Sequence, residues 1–123
     1  MPTTILIADD YDDNRELLRI LLQAASYEVH EARNGTECVV SAREKLPDLI
    51  MVDLSMPELD GWEVFNTLKA DSVTAHIPCV AVTAHADTDC ERALQVGFSA
   101  FIPKPFRTDE MLATVARVVS AKS

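Results

Sequence analysis

Five short runs, four of them apolar, alternate along this chain with five longer stretches in which apolar residues recur every third or fourth position. Thr4–Ala8, the run Leu49–Val52 leading into Asp53, and Cys79–Thr83 are apolar almost throughout, as expected of strands buried on both faces. Glu28–Ala32 and Ala100–Pro103 complete the strand set, the first carrying charges and the second a proline. Helical spacing follows Asp12-Asp13 in Leu17, Leu18, Leu21, Leu22 and Ala25. It follows Asn34-Gly35 in Val39, Ala42 and Leu46, with Asn34 or Thr36 as the cap and Pro47 as the stop. Gly61 releases a third helix with Trp62, Phe65 and Leu68 on one side, read as core. A fourth helix spans Asp87–Val96 and is closed by Gly97. Thr108 caps the last, with Met111, Leu112, Val115, Ala116 and Val119 inward.

Strict alternation of strand and helix predicts an α/β fold, a parallel sheet covered on both faces. The three wholly apolar strands belong at its centre. Glu28-Val29-His30-Glu31 is too polar for such a place, and Pro103 cannot donate to a ladder, so both of these strands suit edges. With right-handed crossovers the five-stranded sheet takes the order 2-1-3-4-5, the doubly wound, flavodoxin-like arrangement. Ligands of such sheets bind beyond the carboxyl ends of the strands, near the switch point between the first and third.

Four strands end there in Asp9-Asp10, Asp53, Thr83 and Lys104. Packing alone asks for none of these groups, and a single Asp ending a strand would be read as the start of a turn. Together they form a functional cluster. Three carboxylates in one place need a counter-charge, and a hard cation with oxygen ligands such as Mg2+ supplies it. A carboxylate beside Mg2+ can attack phosphorus and form an aspartyl phosphate. Phosphoryl transfer asks mainly for positioning and neutralisation of the equatorial oxygens. Lys104, the Thr83 hydroxyl and a backbone N–H such as that of Ala84 could provide it.

Composition narrows the field. The 123 residues suffice for one domain, 1–123, able to bury roughly two-thirds of its unfolded surface. Twenty acidic against eleven basic residues give a formal charge of -9, which disfavours direct nucleic-acid binding. Cys38, Cys79 and Cys90 lack metal-ligand or disulfide-framework spacing and read as reduced thiols. Neither a signal peptide nor a bilayer-spanning run is evident, so a cytoplasmic protein without membrane contact is expected.

Taken together, Asp9-Asp10, the segment Met51-Val52-Asp53-Leu54-Ser55-Met56-Pro57-Glu58-Leu59-Asp60-Gly61, Val82-Thr83-Ala84 and Lys104-Pro105 resemble the receiver domain of two-component response regulators, of the chemotaxis-regulator type. The resemblance covers nearly the whole chain. It implies that Asp53 is the phosphoacceptor, and that Asp9, Asp10, Asp53 and the Ser55 backbone carbonyl hold Mg2+. It also implies a cis peptide between Lys104 and Pro105. Thr83 and Phe101 would be the switch pair, Phe101 lacking the hydroxyl of the common Tyr, while Ser55 and His85 would modulate the site. A histidine kinase or phosphotransfer protein would be the donor. A downstream protein target would read the surface of the fourth helix, fifth strand and fifth helix. Such a stand-alone regulator is a signalling phosphoacceptor that assists its own phosphorylation and dephosphorylation, not an enzyme in the ordinary sense. The alternative is a receiver-like scaffold that binds partners without phosphorylation. A flavodoxin-type cofactor protein is disfavoured because Asp9-Asp10-Tyr11-Asp12-Asp13 would repel an anion. An aspartyl-nucleophile phosphohydrolase usually places its nucleophile after the first strand, whereas here it follows the third.

Overall fold

A computed structural model describes residues 2–122. Ten elements alternate without exception: β1 Thr4–Ala8, α1 Asp12–Ala24, β2 Glu28–Ala32, α2 Gly35–Lys45, β3 Leu49–Asp53, α3 Gly61–Ala70, β4 Cys79–Thr83, α4 Ala86–Val96, β5 Ala100–Pro103 and α5 Thr108–Lys122. All strand pairs are parallel, in the order β2-β1-β3-β4-β5, as the burial pattern predicts.

Alternation along each central strand sends side chains into two separate cores. Leu6, Ile50, Val52 and Ala81 join Val64, Phe65 and Leu68 of α3 and Cys38 and Ala42 of α2 on one face. Ile5, Ile7, Met51, Val80 and Val82 meet Leu18 and Leu22 of α1 and Met111, Val115 and Val118 of α5 on the other. β3 and β4 are buried at every position, whereas β2 buries only Ala32. Pro103 is accommodated by its register. Thr83 lies opposite Pro103, and the next N–H, that of Lys104, donates to the Thr83 carbonyl at 2.7 Å. Because successive N–H groups of a strand face opposite sides, the Pro103 nitrogen faces the open edge, where no donor is required.

Helix ends follow local chemistry with three departures from expectation. Asn34, rather than Thr36, caps α2, its Oδ1 accepting from the Glu37 N–H at 2.8 Å. Leu46, expected inward, is instead the left-handed C-cap of α2 and about half exposed, because the helix must stop before Pro47. α4 starts one residue early, at Ala86, with His85 as its N-cap. Thr108 lies inside the first turn of α5, where the Met111 N–H bonds to the Arg107 carbonyl. Three residues expected inward, Leu17, Ala25 and Ala116, are exposed, whereas Val118 is buried. α3 opens with a reciprocal capping box, Asp60 Oδ1 accepting from Glu63 N and Glu63 Oε1 from Asp60 N.

Candidate functional site

The carboxyl ends of β1, β3, β4 and β5 converge, and their terminal side chains meet there. Asp9 is 1% exposed and Asp53 5%, while Asp10 faces solvent. One carboxylate oxygen of each of the three lies within 4.8 Å of the others. Lys104 bridges the two buried acids: its Nζ donates to Asp53 Oδ2 at 3.0 Å and to Asp9 Oδ2 at 3.2 Å. The second oxygen of each is also committed. Asp53 Oδ1 accepts from the Ser55 N–H and Asp9 Oδ1 from the Tyr11 N–H, both at 2.9 Å.

Electrostatics follow from this geometry. Burial pushes the Asp9 carboxyl above its usual range, against the Tyr11 hydrogen bond and the Lys104 charge. Burial works against the Lys104 charge, but the bond to Asp53 and the charges of Asp53 and Asp9 outweigh it and raise its pKa. Three carboxylates against one ammonium leave the cluster two charges negative. That oxygen-rich, under-neutralised set fits one hard divalent cation such as Mg2+.

Thr83 is fully buried at the end of β4. Its Oγ1 donates to Asp89 Oδ2 at 2.9 Å and accepts from the His85 N–H at 2.8 Å. His85 itself is exposed and makes no side-chain cap bond. Ser55 is exposed two residues beyond Asp53, and the Lys104-Pro105 peptide is cis. Phe101 stands apart, half-buried on β5 opposite Ala81 and packed on the core beneath α3 and α4. Thus Asp9, Asp10 and Asp53 lie together, Lys104 bridges Asp9 and Asp53, Thr83 is tied to Lys104 through its backbone and to His85 through its hydroxyl, and Phe101 lies apart from the cluster.

Three contributors go beyond the sequence reading, which took Gly61 only as a helix start. Arg15 of α1 is 9% exposed and donates to the Asp9 carbonyl at 2.9 Å, to Asp12 at 2.6 Å and to Glu31 at 3.1 Å, pinning the acidic loop to α1 and β2. Burial opposes its charge, yet the bonds to Asp12 and Glu31 raise its pKa. Gly61 lets α3 start directly against the strand end. A Cβ there would stand 2.6 Å from the Asp53 carbonyl oxygen and 2.7 Å from the Leu54 Cα. Asp89 is the third. It reads in sequence as one more acid in a helical first turn, and only the fold shows that it faces Thr83.

A 2-1-3-4-5 sheet with a lysine-bridged acid cluster at its switch point is a doubly wound α/β fold whose site suits a cation better than an anionic cofactor. The chain belongs to the response regulator receiver domain family, which it matches over residues 5–116. It is 42% identical over 116 residues to the polar-differentiation response regulator DivK of Brucella anthropi, with 94% of each chain covered, and 40% identical to DivK of Brucella ovis over the same share. Among solved structures it resembles a response regulator from Chloroflexus aurantiacus (TM-score 0.92, 29% identity, 98% and 99% of the two chains covered). The chemotaxis protein CheY4 of Vibrio cholerae is similar as well (TM-score 0.89, 28% identity, 96% and 99% covered). So is the receiver domain of the sensor histidine kinase PA1611 of Pseudomonas aeruginosa (TM-score 0.89, 28% identity, 98% and 99% covered), in which a magnesium ion is coordinated in the active-site cleft. Receiver domains are phosphoacceptor domains of two-component signalling. Among the described residues, no helix is long and apolar enough to cross a membrane.

Proposed function

We propose that residues 1–123 form one receiver domain acting as a stand-alone response regulator, in which Asp53 accepts a phosphoryl group from the phosphohistidine of a kinase or phosphotransfer protein. The observation that carries this reading is the Lys104 ammonium held between buried Asp9 and Asp53, with Asp10 at the open side. Asp53 is fixed by the Ser55 N–H through one oxygen, so the other is the nucleophile once Lys104 turns to the incoming phosphoryl oxygens. The Asp53 oxygen–phosphorus bond forms as the donor's nitrogen–phosphorus bond breaks, its electron pair returning to the imidazole. Asp9, Asp10, Asp53 and the Ser55 carbonyl would hold Mg2+, which when bound supplies neutralisation of the phosphoryl oxygens. Lys104 provides a second positive charge and Thr83 a hydroxyl donor. His85 and Ser55 border the phosphoryl group and set its access to water. Thr83 and Phe101 pass occupancy to the surface of α4, β5 and α5, where a downstream target binds.

Incubation with acetyl phosphate and Mg2+ followed by mass spectrometry tests the reading. Wild type should gain one acid-labile phosphoryl group and Asp53→Asn none, with both folded by circular dichroism. Full labelling of Asp53→Asn would sink it.

A further inference from the structure

Thr83 carries a single hydroxyl proton, and that proton is already engaged. The Thr83 side chain is wholly buried, so it has no water to turn to, and its hydroxyl donates to the Asp89 carboxylate. The same oxygen accepts from the His85 N–H, so both partners of the hydroxyl belong to the start of α4: His85 is its N-cap and Asp89 lies in its first turn. The carbonyl side of Thr83 is held separately, by the Lys104 N–H. Lys104 in turn reaches Asp53. Thr83 therefore joins two units: its backbone belongs to the acid cluster and its hydroxyl to α4.

We propose that Asp89 is a positioning residue that retains the Thr83 hydroxyl on α4 and competes for it with a phosphoryl group on Asp53. The inference rests on the reading of Asp53 as phosphoacceptor and Thr83 as its hydroxyl donor, and adds a competitor to it. A hydroxyl can give its proton to one acceptor at a time, so the phosphoryl oxygen gains Thr83 only when Asp89 loses it. The competitor is a carboxylate, which makes the bond charge-assisted and stronger than one to a neutral acceptor. Release of Asp89 loosens a helix with little else to hold it, since Ala93 is the one buried residue of α4. Asp89 and Arg92 stand three positions apart on neighbouring turns, and the Arg92 guanidinium lies 4.0 Å from the centre of the Trp62 ring. Trp62, the single tryptophan of the chain, thus reports on α4.

Beryllofluoride, a stable phosphoryl mimic, titrated at saturating Mg2+ provides the test, with occupancy read by fluorine NMR and α4 by Trp62 emission. Giving up a hydrogen bond to a charged group corresponds to roughly ten- to a hundredfold in an equilibrium constant. Asp89→Ala should bind the mimic tighter by about that factor. Asp89→Asn, which keeps an acceptor without the charge, should fall between it and wild type. Thr83→Val removes the shared proton, and in that background Asp89→Ala should change nothing. Unchanged or weaker binding by Asp89→Ala overturns the proposal. An equal gain in the Thr83→Val background also overturns it, because simple repulsion between Asp89 and the anion would then be the cause. Should Asp89→Ala fail to fold, Asp89→Asn decides alone: tighter binding supports the competition and wild-type binding refutes it. If wild type binds no mimic that Asp53→Asn abolishes, the phosphoacceptor reading itself has failed and this inference falls with it.

Discussion

Replacing the Lys104 ammonium by an uncharged side chain of similar length should destabilise the metal-free protein and strengthen its response to Mg2+. Lys104→Met keeps most of the apolar stem and deletes the charge. The side chains of Asp9 and Asp53 are 1% and 7% exposed, and that of Lys104 is 19% exposed. Breaking a buried ion pair by removing one partner costs about 3–5 kcal/mol. The partly exposed lysine lowers this, and so does the ability of Asp9, already shifted upward by burial, to take up a proton. The expected loss is about 2–4 kcal/mol near neutral pH. For a chain of this size that corresponds to roughly 3–5 °C in Tm per kcal/mol.

Calorimetry and urea unfolding, each with chelator and with saturating Mg2+, would measure both parts. A ligand at a hundred times its Kd stabilises by about 2.7 kcal/mol. The gain should be larger in Lys104→Met than in wild type, because the ammonium no longer occupies the oxygens of Asp9 and Asp53. A loss below about 1 kcal/mol would show that Lys104 does not neutralise buried charge. A smaller Mg2+ gain in the variant than in wild type would show that these acids are not the cation site.

Four further outcomes follow from the same geometry. The folded pKa of Asp9 is raised, so its protonated form contributes stability that is complete below its ordinary 3.8 and lost as pH rises through the higher folded value. Urea melts of metal-free wild type should therefore gain stability on acidification towards 3.8 relative to Asp9→Asn, and parallel curves would refute this. Lys104, also raised, contributes fully below 10.5 and should lose its bridge only at pH above that, seen as an alkaline fall in Tm absent from Lys104→Met. Gly61→Ala should cost about 1–3 kcal/mol, because its Cβ would displace the chain just beyond Asp53, and acetyl-phosphate labelling should slow with it. Phe101→Ala, truncating a half-buried ring, should cost about 1–2 kcal/mol yet leave Asp53 labelling nearly intact while weakening phosphorylation-dependent target binding.

Strand positions were legible because β1, β3 and β4 are buried on both faces, so nearly every residue of each had to be apolar. The same fact exposed the site, since Asp9, Asp53 and Thr83 interrupt apolar runs at their ends with groups that packing does not need. Helix surfaces were less legible. Leu46 and Ala116 continue helical spacing but lie where the helix has ended or turned to solvent, and spacing alone carries no such information. Asp60 and Glu63 form a capping box that the pattern D-x-x-E made readable, although Gly61 drew the attention as a helix start. Arg15 and Asp89 were illegible for a different reason. Each is a charged residue in a helical first turn, where charge is ordinary, and each acquires its role from partners on other elements. Long-range partners are set by how helices lie on the sheet, which periodicity does not encode.

The three acids of the site are unequal, and the inequality predicts where stability and function part. Asp9 and Asp53 share the Lys104 ammonium and each accepts a backbone N–H, whereas Asp10 stands exposed beside them. At separations within 4.8 Å, each carboxylate pair repels by about 0.9 kcal/mol even in a water-like dielectric. Asp10 meets two such neighbours, and the ammonium bound to both offsets part of their charge, so a repulsion of roughly 1 kcal/mol is left over. Asp10→Asn keeps the shape and removes the charge, and should stabilise the metal-free protein by about 0.5–1 kcal/mol. The same charge is what leaves the cluster negative enough to hold a divalent cation with Lys104 present. Mg2+ binding, followed by calorimetric titration, should therefore weaken strongly in Asp10→Asn, and acetyl-phosphate labelling should fall with it unless Mg2+ is raised. An Asp10→Asn protein that melts no higher than wild type would mean the repulsion is already relaxed by solvent. One that titrates Mg2+ like wild type would mean Asp10 is no part of the cation site.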